Sequence, residues 1–233
     1  MGFINEFTQK FHDTFIVEDR WKYLTDGLIT TLQITFFAVI FGMILGFIIA
    51  IIRATHDKTG KFGFLNILAK IYLTVIRGTP VVVQLLIIYF VIFASVNIDK
   101  TFVAVLAFGL NSAAYVAEIV RSGIMSIDKG QFEAGMSLGL NYRRTMVTII
   151  LPQAFKNVLP ALANEFIVLL KETSVSGYIA LADLTKGGDI IRSDTYEAFL
   201  PLIAVAVIYL VMVMILTALV SKLERRLGKS DRS

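Results

Sequence analysis

Arg77 and Glu165 are full charges set inside long apolar stretches of a 233-residue chain. Charges in such surroundings are costly and generally face a cavity or a partner. A guanidinium can hold a carboxylate through two parallel hydrogen bonds, and a carboxylate can accept an ammonium group. Thr79 and Asn164, close by in sequence, could add neutral hydrogen bonds. The four side chains could together hold a ligand that carries both charges. The competing reading is a structural ion pair between Arg77 and Glu165 with no ligand. Glu118 and Arg121 stand three residues apart, share a helix face, and are expected to pair locally. Lys156, early in its apolar stretch, can snorkel to a membrane interface.

Other chemistries lack their residues. There is no cysteine, which excludes disulfides, thiol catalysis and thiolate metal sites. His12 and His56 are the only imidazoles and lie in polar stretches, so no metal site is expected. No G-x-x-x-x-G-K-[ST] sequence occurs, so the chain has no P-loop for ATP. Neither H-E-x-x-H nor G-x-S-x-G appears, which leaves intramembrane hydrolysis without a motif. Gly187 and Gly188 come without a basic phosphate-binding pattern and read as flexibility in an outer loop.

The elements that carry these residues are helices of membrane length. The chain is 56% hydrophobic and 17% charged, against about 25% charge in a soluble domain. A bilayer core needs about 20 apolar residues of helix. Residues 28–52 and 198–221 meet that length without a charge, and 102–124 is charged only near its end. Residues 148–170 form a weaker span that holds Pro152, Lys156, Pro160 and Glu165. The stretch 67–96 is interrupted at Arg77-Gly78-Thr79-Pro80. As one helix it would reach about 45 Å, so a single crossing needs tilt or a break.

Loop charge decides how to count it. Residues 53–63, 125–145 and the tail from Lys222 are net positive and belong in the cytoplasm. Residues 172–197 carry two positive and five negative charges, and the first 26 residues three and five, so both belong outside. An outside N-terminus and a cytoplasmic C-terminus require an odd number of crossings. Counting 67–96 once gives about five transmembrane helices, with a break near 77–80. The expected fold class is all-α, a polytopic integral membrane protein.

Residues 1–26 show no apolar core of the signal-peptide type. Phe3, Phe7, Phe11 and Phe15 recur every four residues, followed by Trp21 and Tyr23. They predict an amphipathic segment at the membrane surface. Residues 27–224 form one transmembrane domain with a cytoplasmic loop at about 128–145, and 225–233 a basic cytoplasmic tail.

That loop carries a recognisable pattern. Glu133-Ala134-Gly135 is followed after three residues by Gly139, and after nine more by Ile149-x-Leu151-Pro152. It resembles the E-A-A, three residues, G, nine residues, I-x-L-P signature of binding-protein-dependent ABC importer permeases, with Gly135 where the second alanine usually stands. Arg77-Gly78-Thr79-Pro80, the block from Asn111 to Glu118, Asn164-Glu165-Phe166-Ile167 and Lys171-Glu172-Thr173-Ser174 resemble the polar amino-acid branch of that family. The resemblance implies a type I permease fold in a bacterial cell membrane and transport by alternating access. It implies a second permease chain, an ATPase subunit that carries ATP-Mg, and an extracellular or periplasmic binding protein, with no cofactor in this chain. Glu133, Ala134, Gly135, Gly139 and Pro152 would form the ATPase-coupling segment, with Pro152 at the start of the next helix. Arg77, Thr79, Asn164 and Glu165 would line the substrate site. An acidic residue after the asparagine suggests a basic amino acid such as arginine, lysine or histidine, with glutamine or glutamate as alternatives. From another class, a channel or membrane scaffold would not explain the signature loop.

Overall fold

The computed structural model describes residues 2–229, and among them every regular element is helical. The acidic and basic residues of the expected tail beyond Lys229 lie outside the described residues. The helices are α1 (Gly2–Phe11), α2 (Trp21–Thr59), α3 (Gly63–Gly78), α4 (Val81–Ile87), α5 (Lys100–Met125), α6 (Lys129–Ser137), α7 (Tyr142–Thr145), α8 (Leu151–Glu172), α9 (Leu184–Thr195) and α10 (Phe199–Lys229).

Four helical runs are long and apolar enough to cross a bilayer: Trp21–Thr59, Lys100–Met125, Tyr142–Ile179 and Phe199–Arg225. A fifth span is available if the broken pair Gly63–Gly78 and Val81–Ile92 is one crossing, bent by 110°. The break falls where Thr79 leaves helical geometry and Pro80 follows. Proline disfavours helical geometry in the residue before it, which explains why the helix stops there.

Several local expectations are corrected. The segment 53–63 is a loop only at 60–62: α2 continues through Thr59 and takes in Arg53, Asp57 and Lys58. The segment 172–197 is not a flexible loop either. It holds a 3-10 segment, Thr173–Ile179, and α9, in which Gly187 and Gly188 are buried. Pro152 stands at the start of α8, as the second residue of Leu151–Glu172, although the helical run of the span reaches back to Tyr142. A π-helical turn at Met146–Ile150 precedes Pro152. Proline withholds one N–H and its ring crowds the carbonyl four residues back, and a widened turn accommodates both.

The chain forms two compact units. In the first, made of residues 1–38, 81–108 and 167–216, Phe15, Leu24, Leu184, Ile191 and Val205 build a core. Phe15 therefore leaves the aromatic stripe, whereas Phe7 and Phe11 stay exposed. A Cβ on Gly187 would stand 2.3 Å from the Tyr23 carbonyl oxygen, and one on Gly188 2.4 Å from Val205. Gly187 thus lets the Tyr23 backbone approach, and Gly188 makes room for the Val205 side chain. Asp183 caps α9, accepting the Lys186 N–H at 3.0 Å, and the Leu184 N–H donates to the Thr31 hydroxyl at 3.1 Å.

In the second unit, residues 39–80, 109–166 and 217–233, small side chains let helices touch. Gly42 and Gly46 of α2 lie against Ser112, Ala113 and Val116 of α5, with hypothetical Cβ contacts of 2.6 to 3.0 Å. Close backbone approach through a small-xxx-small pair is the usual basis of helix association in lipid. Gly123 of α5 meets Val158 of α8 in the same way. Ala50, Ala54, Val120, Ile124, Ile150 and Val158 fill the space around these contacts.

Candidate functional site

Three arginines of the second unit converge on Glu118 of α5. Arg53 of α2 donates to the Glu118 carboxylate, Arg77 of α3 lies 4.0 Å from it, and Arg121 lies 3.5 Å from it. Arg121 also reaches Asp57 of α2 at 3.4 Å. The expected local pair of Glu118 and Arg121 is present, and it is one edge of a larger network. Arg53 and Asp57, one turn apart, face Glu118 and Arg121, nearly one turn apart with the charges reversed. That complementarity was written in the sequence, but a charged run at the end of an apolar stretch reads as loop.

Arg77 occupies the last turn of α3, beside the break, with its guanidinium 5.8 Å from the centre of the Tyr115 ring. Its side chain keeps 45% of its exposure, against 14% for Arg53. Arg53, Lys70, Leu73, Thr74, Arg77, Gly78 and Glu118 line a cavity of about 520 Å³. The lining thus holds three cations, Arg53, Lys70 and Arg77, and one carboxylate, Glu118, which Arg53 already engages, so the cavity can accept an anionic group. Thr79 is exposed and its hydroxyl donates to the Val75 carbonyl at 2.8 Å.

Glu165 lies on α8 with 8% exposure. It accepts the buried Ser112 hydroxyl at 3.0 Å. Asn164 beside it is exposed. Arg77 and Glu165 thus each meet α5, at Glu118 and Ser112, six residues or about 9 Å of helix rise apart. The role of Ser112 was missed at the sequence level; its place in the Asn111 to Glu118 block was the available signal.

The signature segment forms its own compact element. Asp128 caps α6 and accepts the Gly130 N–H at 2.6 Å. Glu133 and Ala134 are exposed, as are Met136 and Leu138, the last at 80%. Gly135 is buried on the opposite side, where a Cβ would stand 2.6 Å from the Thr145 methyl. Its smallness therefore serves packing within the chain. Gly139 has φ +81° and nothing near its hypothetical Cβ, so it is needed for its backbone angle, as the turn after the helix requires. Asn141 then caps α7, accepting the Arg144 N–H at 3.0 Å.

Membrane-length helices, a broken pair and a capped, surface-exposed helix between two candidate spans are the features of a polytopic membrane protein. The chain belongs to the family of binding-protein-dependent transport system inner membrane components, which it matches over residues 42–229. It is 41% identical to the arginine transport system permease protein ArtQ of Bacillus subtilis, over 90% of this chain and 94% of that one. It is 37% identical to the glutamine transport system permease protein GlnP of Escherichia coli, over 88% and 92%. Among solved structures, an amino acid ABC transporter crystallised with histidines superimposes with a TM-score of 0.82 at 44% identity, over 90% of this chain and 96% of that chain. An inward-facing MetNI methionine ABC transporter shares the fold, with a TM-score of 0.76 at 19% identity. The fold is that of a type I ABC importer permease.

Proposed function

We propose that this chain is the permease subunit of an ATP-driven importer for polar amino acids, with a basic amino acid as the preferred substrate. The observation that carries the substrate class is the Glu165 carboxylate, buried on α8 and oriented by Ser112. A buried carboxylate is a favourable acceptor for an ammonium or guanidinium group. Arg77 in its cation-lined cavity would receive the substrate carboxylate, with Thr79 and Asn164 adding hydrogen bonds at the break and beside Glu165. The relatives that transport arginine and glutamine support the polar amino-acid class and keep glutamine as the second reading.

Glu133, Ala134, Gly135, Gly139 and Pro152 belong to the segment that docks an ATPase subunit, which holds ATP-Mg and does the hydrolysis. The working assembly has two permease chains, two ATPase subunits and an extracellular or periplasmic binding protein in a bacterial inner or plasma membrane. The N-terminus lies outside and the C-terminus in the cytoplasm, and the amphipathic start of the chain rests on the membrane surface.

The test is equilibrium binding of labelled arginine and glutamine to the reconstituted transporter, with Glu165→Gln beside the parent. Loss of a charged hydrogen-bond acceptor should weaken arginine by roughly ten- to a hundredfold, with glutamine far less affected. If glutamine binds the parent as well as arginine does and the substitution is silent, the preference for a basic substrate is wrong.

A further inference from the structure

The last turns of α2 touch both the docking helix and the charged network. Ala50, Ala54 and Lys58 recur every four residues and so share one face of α2. Ala50 and Ala54 belong to the core against which Phe132 of α6 packs. Lys58 Nζ stands 3.3 Å from the centre of the Phe132 ring. That ring stacks on Tyr142 of α7, with centroids 6.2 Å apart and planes 14° apart. The Tyr142 hydroxyl is buried, with Thr55 of α2 beside it. On a neighbouring face of the same turns, Arg53 and Asp57 hold Glu118 and Arg121 of α5, and Glu118 faces Arg77 in the cavity. One stretch of helix therefore carries contacts to the exposed docking element and to the cation-lined cavity, five residues apart from Arg53 to Lys58.

We propose that Lys58 and Phe132 are positioning residues for coupling: their cation–π contact ties the docking helix α6 to the end of α2, so that displacement of α6 moves Arg53 and Asp57 against Glu118 and Arg121. An aromatic face attracts a cation without fixing a single geometry, so the contact can hold while the two elements turn together. Behind it, Gly135 on Thr145 and the capped turn at Asn141 make α6 and α7 a stiff lever rather than a loose loop. The inference rests on the importer reading and adds to it the route within this chain.

The experiment uses the complete transporter in proteoliposomes and reads substrate taken up per ATP hydrolysed, alongside the ATPase rate and the amount of ATPase subunit that co-purifies. Lys58→Met removes the charge and keeps the stem; Phe132→Leu removes the aromatic face; Phe132→Tyr keeps it. Lys58→Met and Phe132→Leu should lower the uptake per ATP by about threefold or more, the size of a contact of this kind, with hydrolysis retained. Phe132→Tyr should keep the parental ratio. Lys58 is exposed, so its variant carries the test even where Phe132→Leu fails to assemble. Unchanged ratios, or uptake and hydrolysis that fall in step, overturn the coupling role. A parent transporter that binds no ATPase subunit overturns the importer reading itself, which is a separate and recognisable result.

Discussion

Asp183 has no exposed surface, and its Oδ2 is buried without a hydrogen-bond partner. Burial pushes its carboxyl up to about 6, only partly opposed by the backbone N–H groups of Lys186 and Thr185. Lys186 gives it little help, because its ammonium sits 2.7 Å from Asp189. A carboxyl whose folded pKa lies above its unfolded value is stabilised in its neutral form. Its contribution is complete below the unfolded value of 3.8 and is lost as pH rises through about 6. An asparagine in its place would keep the cap, since asparagine serves an α-helix N-terminus as well as aspartate does, and would stay neutral. Asp183→Asn should therefore raise the melting temperature at pH 7 and flatten its fall between pH 4 and 7, by about 3 kcal/mol at most. A thermal-melt series over that range checks it; a variant less stable than the parent at pH 7 would show that the anion is the favoured form.

At the level of elements, helix contact in the second unit depends on missing side chains. Gly46 faces Val116 so closely that any Cβ must displace it. Gly46→Leu should cost about 1–3 kcal/mol through overpacking, read as a lower melting temperature in detergent, whereas Ile44→Leu, at an exposed position of the same helix, should be nearly silent. The sequence made the helices legible because length and hydropathy suffice for a span, and Pro80 marked the break. It left Arg53 in a loop because a helix end and a loop have the same composition when both are charged. It read Gly187 and Gly188 as flexible because their real constraint, the Tyr23 carbonyl and Val205, is distant in sequence. Glu118 could be paired with Arg121 from spacing alone, but its contacts with Arg53 and Arg77 depend on how α2, α3 and α5 pack.

For the whole molecule, orientation is the property that charge in the loops predicts and helix geometry does not. The chain has no cysteine, so single cysteines report without background. Leu138 is 80% exposed and Tyr196 95% exposed, in segments expected on opposite sides of the membrane. In intact cells, a membrane-impermeant maleimide should label Tyr196→Cys at once and Leu138→Cys only after lysis. The reverse pattern would invert every side assignment made from loop charge. The segment from Glu133 to Pro152, proposed for coupling, was the most legible part of the candidate site because its spacing is local. The proposed ligand residues Arg77 and Glu165 were legible only as charges in apolar stretches, and their neighbours on α5 emerged with the fold.

The contact between Gly135 and Thr145 also bears on how such chains diverge. Two positions ten residues apart share one small volume, so neither is free to drift alone. A lineage that acquires alanine at 135 gains a methyl where the threonine methyl already stands. It must shrink residue 145 or shift the start of the next helix. The Thr145 hydroxyl is buried without a partner, so replacing it with alanine forfeits no hydrogen bond. Glycine with threonine and alanine with alanine are thus two solutions of one packing problem. A change at 145 opens the way for the change at 135, and the outward, exposed face of α6 need not change at all.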